Sequence, residues 1–183
     1  AISKLSKTLN IPVLADPLSQ LRAGSHDKET VITAYDAFLR TEKARTKYKP
    51  DYIIRFGAMP ISKNYLFYVT EHGHVPQFVV DTTEAVRGPT NDDSSYILAD
   101  AARFCEDILP YLEKKQDPRW LQEWQKAEGI ARGVLQSVSE ANLTESIAIR
   151  EVSATVDNDS IIFVANSMPV RDLETFFKIS DKN

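Results

Sequence analysis

Cysteine is nearly missing from this sequence: Cys105 is the only one, so no disulfide can close within the chain and no zinc site can be built from thiolates. A reducing cytoplasm is the setting this composition suggests. Glycine is also scarce, with six residues, and neither G-x-G-x-x-G nor G-x-x-x-x-G-K occurs, which speaks against a phosphate-cradling loop. No excess of positive charge is present. The 26 acidic residues outnumber 22 basic ones for a net charge of −4, which argues against a nucleic-acid-binding surface. The basic tract from Lys43 to Lys49 reads as a solvated helix end rather than a polyanion site. No apolar run approaches the roughly 18 residues of a membrane span, and no signal-peptide core opens the chain. It starts at Ala1 without a methionine, which points to processing or to a piece of a longer protein.

What is present suits one α/β domain, or one domain and part of another: 183 residues, 43% hydrophobic and 26% charged, enough for a core. "IPVLADP" (11–17), "PDYIIRFG" (50–57) and "PQFVVDTT" (76–83) read as buried strands. "ETVITAYDAFLR" (29–40), with Val31, Ala34, Tyr35 and Phe38 on one face, reads as an amphipathic helix. "SKNYLFYVTEHG" (62–73) reads as a second helix, capped by Ser62 and stopped at Gly73. The segment 94–113 begins as an apolar run and turns helical near Ala99. Strands apolar on both faces and spaced by helices predict a doubly wound, mostly parallel sheet with helices on both faces.

A long helix follows over 117–141, with Asp117 as its cap and Pro118 in the first turn. Its Trp120 and Trp124, four residues apart, read as core packing. Another helix starts after Thr144, "DND" turns the chain at 157–159, and "SIIFVANS" (160–167) reads as one more strand.

Little of the usual chemistry is marked by spacing. His72 and His74 flank Gly73 at a helix end, where surface imidazoles are the plain reading and a metal ligand pair the alternative. "NDDSS" (91–95) lacks the spacing of a calcium loop and reads as a turn. No nucleophile-elbow serine and no marked carboxylate pair is found. Arg22, Arg55 and Arg87 each follow or end a predicted strand. At the carboxyl edge of a parallel sheet they either converge on an anion, as a regulatory site would, or form independent salt bridges.

The sharpest pattern is "FVANSMPVRDLETF" (163–176). A strand ends near Ala165, Asn166-Ser167 lead to a helix opening at Pro169, and Arg171 lies four residues beyond Ser167. A hydroxyl, a guanidinium and free helix N–H groups at that corner suit a carboxylate. Equally, Arg171 can pair with Asp172 or Glu174 on a simply capped helix.

This string, with "VLADPLSQLR" (13–22), resembles the MenD family of menaquinone biosynthesis. These are thiamine-diphosphate-dependent synthases making 2-succinyl-5-enolpyruvyl-6-hydroxy-3-cyclohexene-1-carboxylate, here of the Gram-positive type. The resemblance implies a Rossmann-like central domain at 1–117, a linking helix at 118–143, and the opening of a C-terminal diphosphate-binding domain at 144–183. It implies that Ser167 and Arg171, with Asn166 beside them, help hold the carboxylates of 2-oxoglutarate and isochorismate. It assigns no catalytic residue and no metal ligand here. The cofactor-activating glutamate would precede residue 1, and the motif for Mg²⁺ or Mn²⁺ would follow Asn183. The segment alone is then expected to be inactive and to bind no thiamine diphosphate, while its parent would be a homodimer or homotetramer. A stand-alone α/β module holding a small anionic metabolite is the competing reading.

Overall fold

A computed structural model describes residues 1–83, 94–137 and 143–181. The chain opens with helix α1 (Ile2–Leu9), which ends where Asn10 takes a left-handed conformation at φ 50°. Strand β1 (Val13–Leu14) follows, and the first difference from expectation comes next. Val31–Ile32 form strand β2, parallel to β1 with Val13 opposite Val31, and only Tyr35–Phe38 turn helical as α2. The apolar spacing over 29–40 suits a helix, but the β-branched pair Val31-Ile32 is buried and laddered on β1. The strand stops where a distant carboxylate takes its next amides: Glu128 accepts from the N–H groups of Thr33 and Ala34 at 3.0 and 2.7 Å.

Helix α3 (Glu42–Lys47) is capped by the Thr41 hydroxyl, and strand β3 (Ile53–Phe56) leads to helix α4 (Lys63–Glu71). Ser62 caps α4 as the sequence predicts, its hydroxyl accepting from the Tyr65 N–H at 3.0 Å. Strands β4 (Gln77–Asp81) and β5 (Ser95–Leu98) complete a three-stranded parallel sheet in the order β3-β4-β5. Helices α5 (Ala101–Ile108), α6 (Arg119–Ser137), α7 (Glu145–Thr155) and α8 (Met168–Phe176) follow. The fold is α/β, with parallel strands flanked by helices. Among the described residues its strands form two sheets, β1-β2 and β3-β4-β5, instead of one.

The core is aromatic and is closed by α6. Trp124 is buried against the rings of Phe38, Tyr48 and Tyr68 at centroid distances of 5.6, 4.6 and 6.1 Å. Trp120 packs at its edge, 5.9 Å from Trp124, so the tryptophan pair is core. Thus α6 is packed into the sheet domain.

The predicted strand over 160–167 is not formed. Residues 161–165 are irregular, and Ile161 and Phe163 are 94% and 97% exposed. An apolar run with high strand propensity becomes a strand only when a neighbour completes its ladder, and none of the described strands pairs with this one.

Candidate functional site

Helix α8 presents the corner singled out by the sequence. Asn166 and Ser167 form an exposed turn ahead of it, and Ser167 is the N-cap position at φ 74° and ψ −129°. Its hydroxyl makes no cap hydrogen bond, and Pro169 occupies the first turn. Arg171 is exposed and has no ion pair among the described residues. The self-satisfied alternative is not adopted: Glu174 is engaged by Arg22, and no Arg171–Asp172 pair forms among the described residues. Burial raises the Asp172 carboxyl above its usual range, and Glu145 adds to the effect. A free hydroxyl, a carboxamide, a guanidinium and an uncapped helix N-terminus therefore share one solvent-facing corner, a set of donors suited to a carboxylate.

A left-handed φ is strained for serine and natural for glycine. Ser167→Gly is expected to raise the chain's stability by about 1 kcal/mol, read as a higher urea midpoint. A lower midpoint would show that Ser167 is not strained.

The other end of α8 is tied down. Arg22 spreads its guanidinium over three acceptors: Nε donates to the Ala15 carbonyl, Nη1 donates to the Glu174 carbonyl, and Nη2 meets Glu174 Oε2, each at 2.8 Å. Both side chains are 2% exposed. The Arg22 carbonyl in turn accepts from the Ser180 N–H at 2.8 Å. From α6, Arg132 Nη1 donates to the Thr175 carbonyl at 3.0 Å, and its Nη2 bonds Thr33 Oγ1 at 2.6 Å. Two arginines thus satisfy carbonyls of the last turn of α8, where the helix dipole is negative.

Burial pushes the Glu174 carboxyl up to about 7, against the lowering influence of Arg22 and of the Tyr35 hydroxyl. Among the described residues, Arg22 Nη2, the two Glu174 carboxylate oxygens and the Tyr35 hydroxyl have no well-aligned hydrogen bond. The 2.8 Å contact is therefore an ion pair without the usual hydrogen-bond support. Glu128 and Arg132 pair across one turn of α6 at 3.2 Å, but nothing local marks their contacts to Thr33, Ala34 and Thr175, or the Arg22–Glu174 pair, whose members are 152 positions apart.

Of the three arginines of the expected anion site, Arg22 and Arg55 lie among the described residues. Arg22 is not available to a ligand, since its guanidinium is sealed against α8. Arg87 lies outside the described residues. Arg55 donates to the Gly57 carbonyl at 2.9 Å and borders a cleft of about 920 Å³ between the two sheets, whose lining does not include Arg22. That cleft reaches the carboxyl ends of the strands, where Asp16, Asp81 and Asp100 stand. Asp16 accepts from the Leu18 and Ile61 N–H groups, and Asp100 from those of Ala102 and Arg103. An anion there would meet carboxylates already fixed in place. Neither Ser167 nor Arg171 lines the cleft.

The expectation of surface imidazoles holds for His74, which is exposed, and is corrected for His72. His72 ends α4 but is buried, with Nε2 3.0 Å from the Arg45 carbonyl. Two residues of the basic tract are paired: Arg45 with Glu71 at 2.7 Å and Lys47 with Glu123 at 2.6 Å.

A family model described as "Middle domain of thiamine pyrophosphate" matches residues 1–164. The chain belongs to that family. Over its whole length it is 41% identical to the 2-succinyl-5-enolpyruvyl-6-hydroxy-3-cyclohexene-1-carboxylate synthase of Oceanobacillus iheyensis, covering 32% of that relative. It is 39% identical to the synthase of the same name from Geobacillus thermodenitrificans, again over its whole length and 31% of the relative. With the Chloroflexus aurantiacus synthase the identity is 37% over 96% of the chain and 31% of the relative. The chain spans about a third of the length of the curated relatives it matches.

The residues described do not fit a holder for thiamine diphosphate or its metal. They lack a glycine-rich phosphate cradle, and among them no three His, Cys, Asp or Glu side chains gather around one point. No helix among them is long and apolar enough to cross a membrane.

Proposed function

We propose that this segment is the middle part of a cytoplasmic menaquinone-biosynthesis synthase. The parent enzyme decarboxylates 2-oxoglutarate and adds the resulting succinyl carbanion equivalent to isochorismate. Thiamine diphosphate, with Mg²⁺ or Mn²⁺, supplies that carbon chemistry and is held by parts of the parent outside residues 1–183. The parent is a homodimer or homotetramer, and the segment alone is inactive.

In this reading the segment contributes a carboxylate-binding corner: Arg171 and Ser167 donate to a substrate carboxylate, with Asn166 beside them. The observation that carries the assignment is the exposed Arg171 guanidinium, unpaired among the described residues and set one helical turn after an uncapped, strained serine. Residues 1–117 form the central domain, 118–143 lead out of it, and 144–183 open the C-terminal domain. Packing of α7 on α8 and the exposed apolar run at 161–163 support that division, since such a run is suited to pairing with a sheet completed elsewhere in the parent.

The test is steady-state kinetics on the full-length synthase. A charge-assisted hydrogen bond contributes about 1.5–3 kcal/mol, so Arg171→Ala is expected to raise the KM for one carboxylate substrate roughly 10- to 100-fold. Arg171→Lys should fall between, because an ammonium cannot form the two-pronged contact. Unchanged KM values for both substrates would remove Arg171 from the site.

A further inference from the structure

The buried Arg22–Glu174 pair lies away from the carboxylate-binding corner, and its stability value is poor. Two buried charges lose hydration, and an apolar pair of similar volume usually serves as well or better. What the pair supplies is direction. One planar guanidinium reaches the Ala15 carbonyl just beyond β1, the Glu174 carbonyl and the Glu174 carboxylate, all at 2.8 Å. The arm that carries Arg22 is itself fixed: Asp16 holds the Leu18 N–H at 2.8 Å and the Ile61 N–H at 2.9 Å. Arg132 adds a second tether from α6 at the Thr175 carbonyl. At a rise of about 1.5 Å per residue, Arg171 stands about 4.5 Å and Ser167 about 10 Å up the helix axis from Glu174. The nine-residue helix has no side-chain cap at its N-terminus; α7 packs along it, and the tethered turn fixes its C-terminal end.

Resting on the synthase reading, we propose that Arg22 and Glu174 are positioning residues for the substrate: they lock α8 onto the end of β1 and so fix Ser167 and Arg171 for carboxylate binding. Neither touches substrate. Displacing a binding group by about 1 Å can cost on the order of 100-fold in rate, so a loosened tether should be read at the substrate even when the fold survives.

The experiment uses the full-length synthase with 2-oxoglutarate and isochorismate as probes. Arg22→Met with Glu174→Leu removes both charges and leaves no unpaired ion. This double variant should keep its urea midpoint near the wild-type value and raise the KM for a carboxylate substrate about tenfold or more, with a smaller change in kcat. Arg22→Lys, which keeps the charge and loses the fork, should recover part of the loss. A folded double variant with wild-type KM values would overturn the proposal, because a purely structural pair predicts that result. Arg171→Ala, run alongside, separates the two failures. If it raises KM while the double variant does not, only the positioning role falls; if it too leaves KM unchanged, the carboxylate corner and the positioning role fall together.

Discussion

Replacing Trp124 by alanine is expected to destabilise the chain by about 3–5 kcal/mol, the range for deleting a fully buried large aromatic side chain. Trp124 is 1% exposed and touches rings contributed by α2, the end of α3 and α4, so its removal opens a cavity where four helices meet. The indole N–H has no hydrogen-bond partner among the described residues, so the loss is one of packing alone. Trp124→Phe keeps part of that packing and should cost less than half as much. Urea unfolding followed by circular dichroism measures both. A Trp124→Ala midpoint within error of the wild type would show that α6 is not part of the core.

Arg22→Met alone is the second large effect, and its size should depend on pH. It leaves Glu174 buried without its cation, and breaking a buried pair from one side costs about 3–5 kcal/mol. Glu174 already titrates near 7 because burial raises it, well above the roughly 4.3 of a free glutamate. An acid whose folded pKa is raised binds its proton more tightly when folded. Its contribution to stability is therefore fully present below about pH 4.3 and is lost as pH rises through 7, at up to about 1.4 kcal/mol per pH unit. Removing Arg22 raises the carboxyl further, so Arg22→Met should be most damaging at pH 8 and much milder at pH 5. Glu174→Gln, which cannot ionise, should remove this pH-dependent loss between about pH 4.5 and 7. Denaturation midpoints at pH 5, 6, 7 and 8 for the three proteins test this; a pH-independent Arg22→Met cost would contradict a charged Glu174 at neutral pH.

How far the sequence speaks for the fold depends on the range of each signal. Ser62 and the tryptophan spacing were legible because a cap and a helix face are set within four residues. The β2–α2 region misled for the same local reason: Val31, Ala34, Tyr35 and Phe38 satisfy a helical period even though Val31 and Ile32 are laddered on β1. Residues 161–165 carry strand composition, but a strand is a property of its neighbours. At the proposed corner, Ser167 and Arg171 could be picked out because turn, N-cap position and guanidinium lie within about one helical turn. Arg22 could not be placed, since its partner is 152 residues away and three scattered arginines look alike until the chain closes. Glu128 accepting from the amides just after β2 is invisible for the same reason, since its carboxylate and the Ala34 amide are 94 positions apart.

The central claim is that this segment carries a substrate-binding corner of a menaquinone-pathway synthase. The most direct measurement is complementation of a host lacking that synthase by the full-length gene containing this segment, wild type against Arg171→Ala, with soluble protein levels matched. Rescue by the wild type and failure by Arg171→Ala is the predicted result. Absence of rescue by the wild type would contradict the synthase assignment and favour a free-standing anion-binding module. Full rescue by Arg171→Ala would contradict the role given to the corner.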